Sequence, residues 1–295
     1  MDQNNSQIEK KILTPNSTTN TSSNGGNFIP INDVSLLHKT KSNFVFFFGK
    51  ALTGKSVILA SMLYHMNTEG SIRPKKNTPE AEVLLFDFID GLKRGQLPSR
   101  SQKDKVIKID LVFEPNNKSK KIKPVDLAFL EVAGDNHIEI KRGGAYHQSI
   151  EEYLNADIPL HFILVTDYDN ACDDDALIIS FLNELVKKGR NIKYINAIIV
   201  IAKWDKSGSI GVAKDSQLND FIRLKMPMTH SQIENYSFSK TFYTVGDFGI
   251  NEKGEERLNQ LDLSTAKVLT DWLYESITGI DLNYEGTFWE RLVGK

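Results

Sequence analysis

Gly49-Lys50-Ala51-Leu52-Thr53-Gly54-Lys55-Ser56 has the residue types and spacing of a phosphate-binding loop. Gly49 and Gly54 let the backbone turn inward, so that successive N–H groups face a triphosphate. The helix beginning near Val57 adds the positive end of its dipole. Lys55 is expected to bridge the outer phosphates, and the Ser56 hydroxyl to ligate Mg²⁺. Two further groups of residues bear on the same chemistry. Val125-Asp126-Leu127-Ala128-Phe129-Leu130 delivers Glu131 and then Gly134. An acid there holds a metal-bound water, and a glycine N–H reaches a terminal phosphate because no side chain intervenes. Ala197-Ile198-Ile199-Val200-Ile201 delivers Ala202-Lys203-Trp204-Asp205. Asp205 can accept from the N1–H and exocyclic amine of guanine, which adenine cannot match, while the Lys203 stem lies along base and ribose.

These residues are useful only if elements place them together. Phe44 to Phe48 reads as a fully buried strand and Val57 to Tyr64 as a helix, the required setting for the loop. Apolar runs then alternate with helical patterns, which predicts an α/β fold. Strands are expected at 43–48, 106–113, 126–132, 159–166, 195–201 and 241–245. Helices are expected at 54–66, 79–94, 146–155, 174–188, 213–225 and 264–278. The polar turn Glu114–Lys121 leaves no room for a crossover helix, so the strands on either side form an antiparallel hairpin. The expected fold class is a three-layer α/β/α arrangement around a mostly parallel six-stranded sheet with one antiparallel strand. Asp173-Asp174-Asp175 reads as the acidic start of a helix, or alternatively as a Ca²⁺ site.

Composition bounds the rest. The 295 residues are 40% hydrophobic with a formal charge of −2, so no basic field implies a nucleic-acid partner. Cys172 is the only cysteine, which suits a reducing, cytoplasmic compartment. No apolar run approaches the roughly 20 residues of a membrane span. Residues 1–28 are half Ser, Thr and Asn and are expected to be a disordered tail. A single domain is expected over 40–280, followed by an aromatic segment, 281–295, with Tyr284, Phe288 and Trp289 packed back or presented to a partner.

In this order, GKALTGKS, EVAG and AKWD resemble the motifs of the translation-factor and Ras-like class of P-loop GTPases. More narrowly, the chain looks like bacterial TRAFAC-clade GTPases of the double-GTPase type. Those carry a Gly-x-hydrophobic-Pro-x-basic-Thr element that Gly95-Gln96-Leu97-Pro98-Ser99-Arg100-Ser101 matches. The resemblance implies GTP/GDP as ligand with Mg²⁺, and contacts from Gly49, Lys50, Ala51, Leu52, Thr53, Gly54, Lys55, Ser56, Val57, Gly134, Lys203 and Asp205. It also implies a last base-contacting loop at Thr244-Val245-Gly246. It implies Ser56, Ser101 and Glu131 around the metal, with Thr68 and Thr78 competing with Ser101 as the switch hydroxyl. The pattern departs from the class at three places: Glu131 replaces an aspartate, Ala202 an asparagine or threonine, and Ser101 a threonine.

Where such proteins often orient water with glutamine, this chain has Asp135, Asn136 and His137. Asp135 is a poor water-orienting group beside phosphate. Lys55, Asp135 and His137 are the catalytic candidates, with Lys141 and Arg142 beside Gly143-Gly144 able to serve a neighbouring subunit. The expectation is slow hydrolysis that depends on a protein partner or self-association. The alternatives are a P-loop ATPase or small-molecule kinase, and a hydrolysis-deficient nucleotide-binding scaffold.

Overall fold

A computed structural model describes residues 41–75, 77–99, 106–117, 119–134, 148–192, 195–208, 214–250 and 256–285. The expected tail, Ser101, Asp135, His137, Lys141, Arg142, Phe288 and Trp289 lie outside the described residues. The elements are β1 (Asn43–Phe48), α1 (Lys55–Thr68), β2 (Gly70–Pro74), α2 (Pro79–Lys93), β3 (Val106–Pro115), β4 (Val125–Val132), α3 (Gln148–Asn155), β5 (Leu160–Asp167), α4 (Ala171–Lys187), β6 (Asn196–Ala202), α5 (Asp215–Lys225), α6 (Pro227–Tyr236), β7 (Ser239–Tyr243), β8 (Gly246–Ile250), β9 (Glu256–Leu261) and α7 (Ser264–Thr278).

β1 explains the layering. It is hydrogen-bonded in parallel to β4 on one side and β5 on the other, so both of its faces need cover. Phe44, Phe46 and Phe48 pack with Ile150 of α3, Phe181 of α4 and Ile222 of α5. Val45 and Phe47 point the other way, to Leu59 of α1, Leu85 of α2 and Leu269 of α7. Two helical layers thus enclose one sheet, the expected α/β/α arrangement.

The main sheet has seven strands in the order β2-β3-β4-β1-β5-β6-β7, one more than the sequence predicts. The β3–β4 hairpin is antiparallel as expected, pairing Val106 with Val132 through Phe113 with Val125. The added strand is β2, which pairs antiparallel with β3, so β3 alone opposes the general direction. Its sequence, Gly-Ser-Ile-Arg-Pro, carries no apolar run because an edge strand buries little, and so it reads as a loop. The β8–β9 hairpin was likewise not anticipated. α6 was also missed. Met226 closes α5 on Ile222, and Pro227, which needs no N–H partner, immediately starts the next helix.

Arg190, just past α4, donates to the carbonyls of Tyr153, Leu154, Ala156 and Ile158, and so binds the end of α3 to α4. Tyr284 packs on the β3–β4 turn, with Lys121 Nζ 4.9 Å from its ring centroid and Asn117 donating to its carbonyl.

His161 in β5 is buried, with Nδ1 3.0 Å from Ser276 Oγ of α7. Burial lowers its pKa from 6.5 to about 4. Between those values the unfolded chain binds a proton that the folded chain refuses. The stability contribution is therefore complete above about pH 6.5 and is lost as pH falls to about 4. At about 1.4 kcal/mol per unit, wild type should lose roughly 3 kcal/mol more than His161→Gln over that interval, measured by urea unfolding. Parallel losses in the two proteins would assign the pH dependence to other groups.

Candidate nucleotide site

β1, β4, β5, β6 and β7 run in parallel, so their C-terminal ends meet at one edge of the sheet. The three motifs all leave that edge. Gly49 turns the chain out of β1 with φ 153°, and a Cβ on it would lie 2.2 Å from Val165 O of β5. Only glycine clears that crossing. Within the loop, Thr53 Oγ1 donates to Lys50 O at 3.0 Å. Lys55 Nζ donates to Gly49 O at 2.9 Å and Lys50 O at 2.7 Å. The loop therefore closes around its own lysine, which is 5% exposed. Leu52 at the tip holds φ 65° with its side chain largely in solvent, a conformation that costs a branched residue about 1 kcal/mol.

The first two motifs meet directly. Ser56 Oγ donates to Glu131 Oε1 at 2.6 Å, across 75 residues of sequence. Glu131, one methylene longer than the expected aspartate, makes this contact directly. A hydroxyl and a carboxylate are hard oxygen donors, and together with phosphate oxygens they suit Mg²⁺. Gly134 rests against the loop itself. A Cβ there would fall 2.1 Å from Ala51 N and 2.2 Å from Lys50 C. The third residue after the acid must lack a side chain because the 49–56 loop occupies that space.

Ala51, Leu52, Gly54, Lys55, Ser56, Val57, Gly134 and Lys203 line one cleft of about 210 Å³. Gly49, Lys50 and Thr53, from the same loop, do not line it. Pro98 and Ser99 also line it. This places the middle of the 95–101 segment beside the 49–56 loop. The competing hydroxyls have other work: Thr68 Oγ1 donates to His65 O, and Thr78 caps α2 by accepting from Ala81 N. Neither lines the cleft.

Lys203 follows β6 in a left-handed conformation, φ 55°, with Nζ 2.9 Å from Asp167 Oδ2. Burial pushes the Asp167 carboxyl up, but hydrogen bonds from Lys203 and from the Asn170 backbone and side chain outweigh this and hold it below its ordinary value. Asp205 is exposed in the short 3₁₀ turn Trp204–Ser207 and does not line the cleft. Thr244 and Val245 follow β7, whose Tyr243 pairs with Ala202, so both base-contacting candidates sit at neighbouring strand ends. Val245 is buried, and its carbonyl accepts from Asp262 N. Ala202 packs beneath the phosphate loop, its Cβ 3.6 Å from where Gly54 would carry one.

The acidic run resolves into two buried carboxylates with separate tasks. α4 starts at Ala171, three residues earlier than predicted, with Asn170 as its N-cap. Asp174 pairs with Lys50 of the phosphate loop, and Asp175 accepts from Met228 N, Thr229 N and Thr229 Oγ1 at the start of α6. No group of three metal-ligating side chains occurs among the described residues, which removes the Ca²⁺ reading. Asp167 supports the site and the sequence did not single it out; Asp174 also supports it, where the sequence reads only an acidic helix start. An acid closing the apolar run of β5 was the available signal for Asp167.

No helix among the described residues is long and apolar enough to cross a membrane. No family model matches the chain, and no curated protein sequence matches it. Solved structures with a similar layout include the bacterial selenocysteine-specific elongation factor EF-Sec, at 11% identity and TM-score 0.38 over 82% of this chain and 30% of that one. The GTPase-like domain of S. cerevisiae Ski7 bound to GTP matches at 17% identity and TM-score 0.35, over 71% of this chain and 44% of that one. The signal recognition particle receptor SRb-GTP/SRX complex from Chaetomium thermophilum matches at 12% identity and TM-score 0.36, over 69% of this chain and 90% of that one. This chain therefore spans less than half of the first two. Similarity at this level assigns neither a family nor an activity.

Proposed function

We propose that the chain is a Mg²⁺-dependent guanine-nucleotide-binding protein that hydrolyses GTP slowly and acts as a switch. The observation that carries the reading is the convergence of Lys55, the Ser56–Glu131 pair, Gly134 and Lys203 on one cleft. The phosphate loop presents backbone N–H groups and the Lys55 ammonium to the phosphates. Ser56 and Glu131 would hold Mg²⁺, which neutralises charge developing between the outer phosphates. Lys203 borders the base side of the cleft, and Asp205 reads the base by a rotation that brings its exposed carboxylate inward. The terminal phosphate orders Gly134 and the 95–101 segment, and its loss releases them. Hydrolysis is slow because the residue directly after Gly134 is the charged Asp135 and not a glutamine able to orient water, so a protein partner or a second copy supplies what is missing.

Titration with GTP, GDP and ATP tests the reading. GTP and GDP should compete with a fluorescent guanine nucleotide and ATP should not; equal competition by ATP would favour an ATPase or small-molecule kinase. Binding without phosphate release would favour a hydrolysis-deficient scaffold. The base reader is tested by Asp205→Asn, which sets an amide donor against the donors of guanine. GTP affinity should fall about tenfold or more while xanthosine triphosphate gains, because its oxygen accepts from the new amide. If xanthosine triphosphate gains nothing relative to GTP, Asp205 does not read the base.

A further inference from the structure

Asp174 is 1% exposed in the first turn of α4. A carboxylate taken that far from water requires compensation. Thr166 Oγ1, near the end of β5, donates to Oδ2 at 2.7 Å, and Lys50 Nζ lies 2.5 Å from Oδ1. The α4 N-terminus adds its dipole. The adjacent Asp175 is held by the first residues of α6, so the turn that carries Asp174 is itself anchored. Lys50 is the second residue of the phosphate loop. Its side chain reaches outward to Asp174, while its carbonyl faces inward and accepts from Lys55 Nζ and Thr53 Oγ1. The same Lys50–Ala51 peptide is the surface on which Gly134 rests.

We infer that the Lys50–Asp174 pair is a tether that holds the phosphate loop in its cradling shape, and that Lys50 is a positioning residue and not a second phosphate ligand. Its ammonium could reach a phosphate only by leaving Asp174 buried without its countercharge. One phosphate contact does not offset that loss, since an abandoned buried carboxylate forfeits its whole compensation. The tether also defines what moves. With Lys50–Ala51 anchored to α4, a displacement of Gly134 shifts the segment after β4 and leaves the loop in place. The effect on nucleotide rests on the function proposed above; the tether itself is a property of the loop without ligand.

Two measurements on the full chain test this separately. In hydrogen exchange without nucleotide, amides of 49–56 should exchange about tenfold faster in Lys50→Met and in Asp174→Asn. The double variant should be no faster than either, because both substitutions remove one interaction. With nucleotide, each variant should lose affinity for GDP and GTP by the same factor, about tenfold. Lys50→Arg should restore both exchange and affinity. If Asp174→Asn does not fold, the Lys50 variants carry the test, since that side chain is 28% exposed. Unchanged exchange at 49–56 overturns the tether. A loss confined to GTP in Lys50→Met also overturns it and makes Lys50 a phosphate ligand. If wild type binds neither nucleotide, the functional reading falls while the exchange result still decides the tether.

Discussion

Lys55→Ala is expected to weaken triphosphate binding by about a hundredfold or more while the protein stays folded. Charge-assisted contacts to phosphate are worth roughly 1.5–3 kcal/mol each, and each 1.4 kcal/mol is tenfold in affinity. On the function proposed above, Lys55 would make two such contacts. It also donates to Gly49 O and Lys50 O, so its removal loosens the cradle as well as deleting its cation. The fold tolerates the change because alanine suits the first turn of α1, and the apolar side of that helix, Ile58, Leu59, Met62 and Leu63, is untouched. Titration with a fluorescent guanine nucleotide, alongside circular dichroism, is the measurement. A folded variant with unchanged GTP affinity would remove the phosphate-loop assignment.

The second large effect is expected at Gly134. Added carbon there would stand 2.1 Å from Ala51 N and 2.2 Å from Lys50 C, far inside van der Waals contact. One of the two backbones must retreat. The phosphate loop is secured by β1, α1 and the Lys50–Asp174 pair, whereas Gly134 lies just beyond β4, so Gly134 is the one that moves. Gly134→Ala should therefore retain GDP affinity to within a few-fold. GTP should lose about ten- to hundredfold, the equivalent of one charge-assisted hydrogen bond from the Gly134 N–H. Hydrogen exchange gives the second readout. In wild type a non-hydrolysable GTP analogue should protect 95–101 and 134–145 more than GDP does, and in the variant the two nucleotides should act alike. A ligand moves a two-state element only by its differential affinity for the two states. Equal protection by both nucleotides in wild type would exclude a terminal-phosphate switch and leave the scaffold reading in front.

Local pattern alone determined the glycine-flanked turn at 49–56, the strand before it, the helix after it and the antiparallel hairpin. In each case the signal lies within a few consecutive residues: two glycines at fixed spacing, an unbroken apolar run, and a turn too short for a crossover. Periodicity reports burial along one element, so elements that bury little escaped it. β2 at the sheet edge and α6, which keeps only Thr229 and Ile233 buried, were invisible for that reason. The pairings that make a site were decided by tertiary structure. Ser56 meets Glu131 across 75 residues because β4 lies beside β1. Asp174 reads as an ordinary helix-start acid until the register of β5 against β1 brings Thr166 and Lys50 to either side of it. Gly134 reads as a sensor glycine, but its need to be glycine in this conformation comes from the backbone of Lys50 and Ala51. Residue types announce which chemistry is available; only strand order and packing determine which of those groups lie within 3 Å of one another.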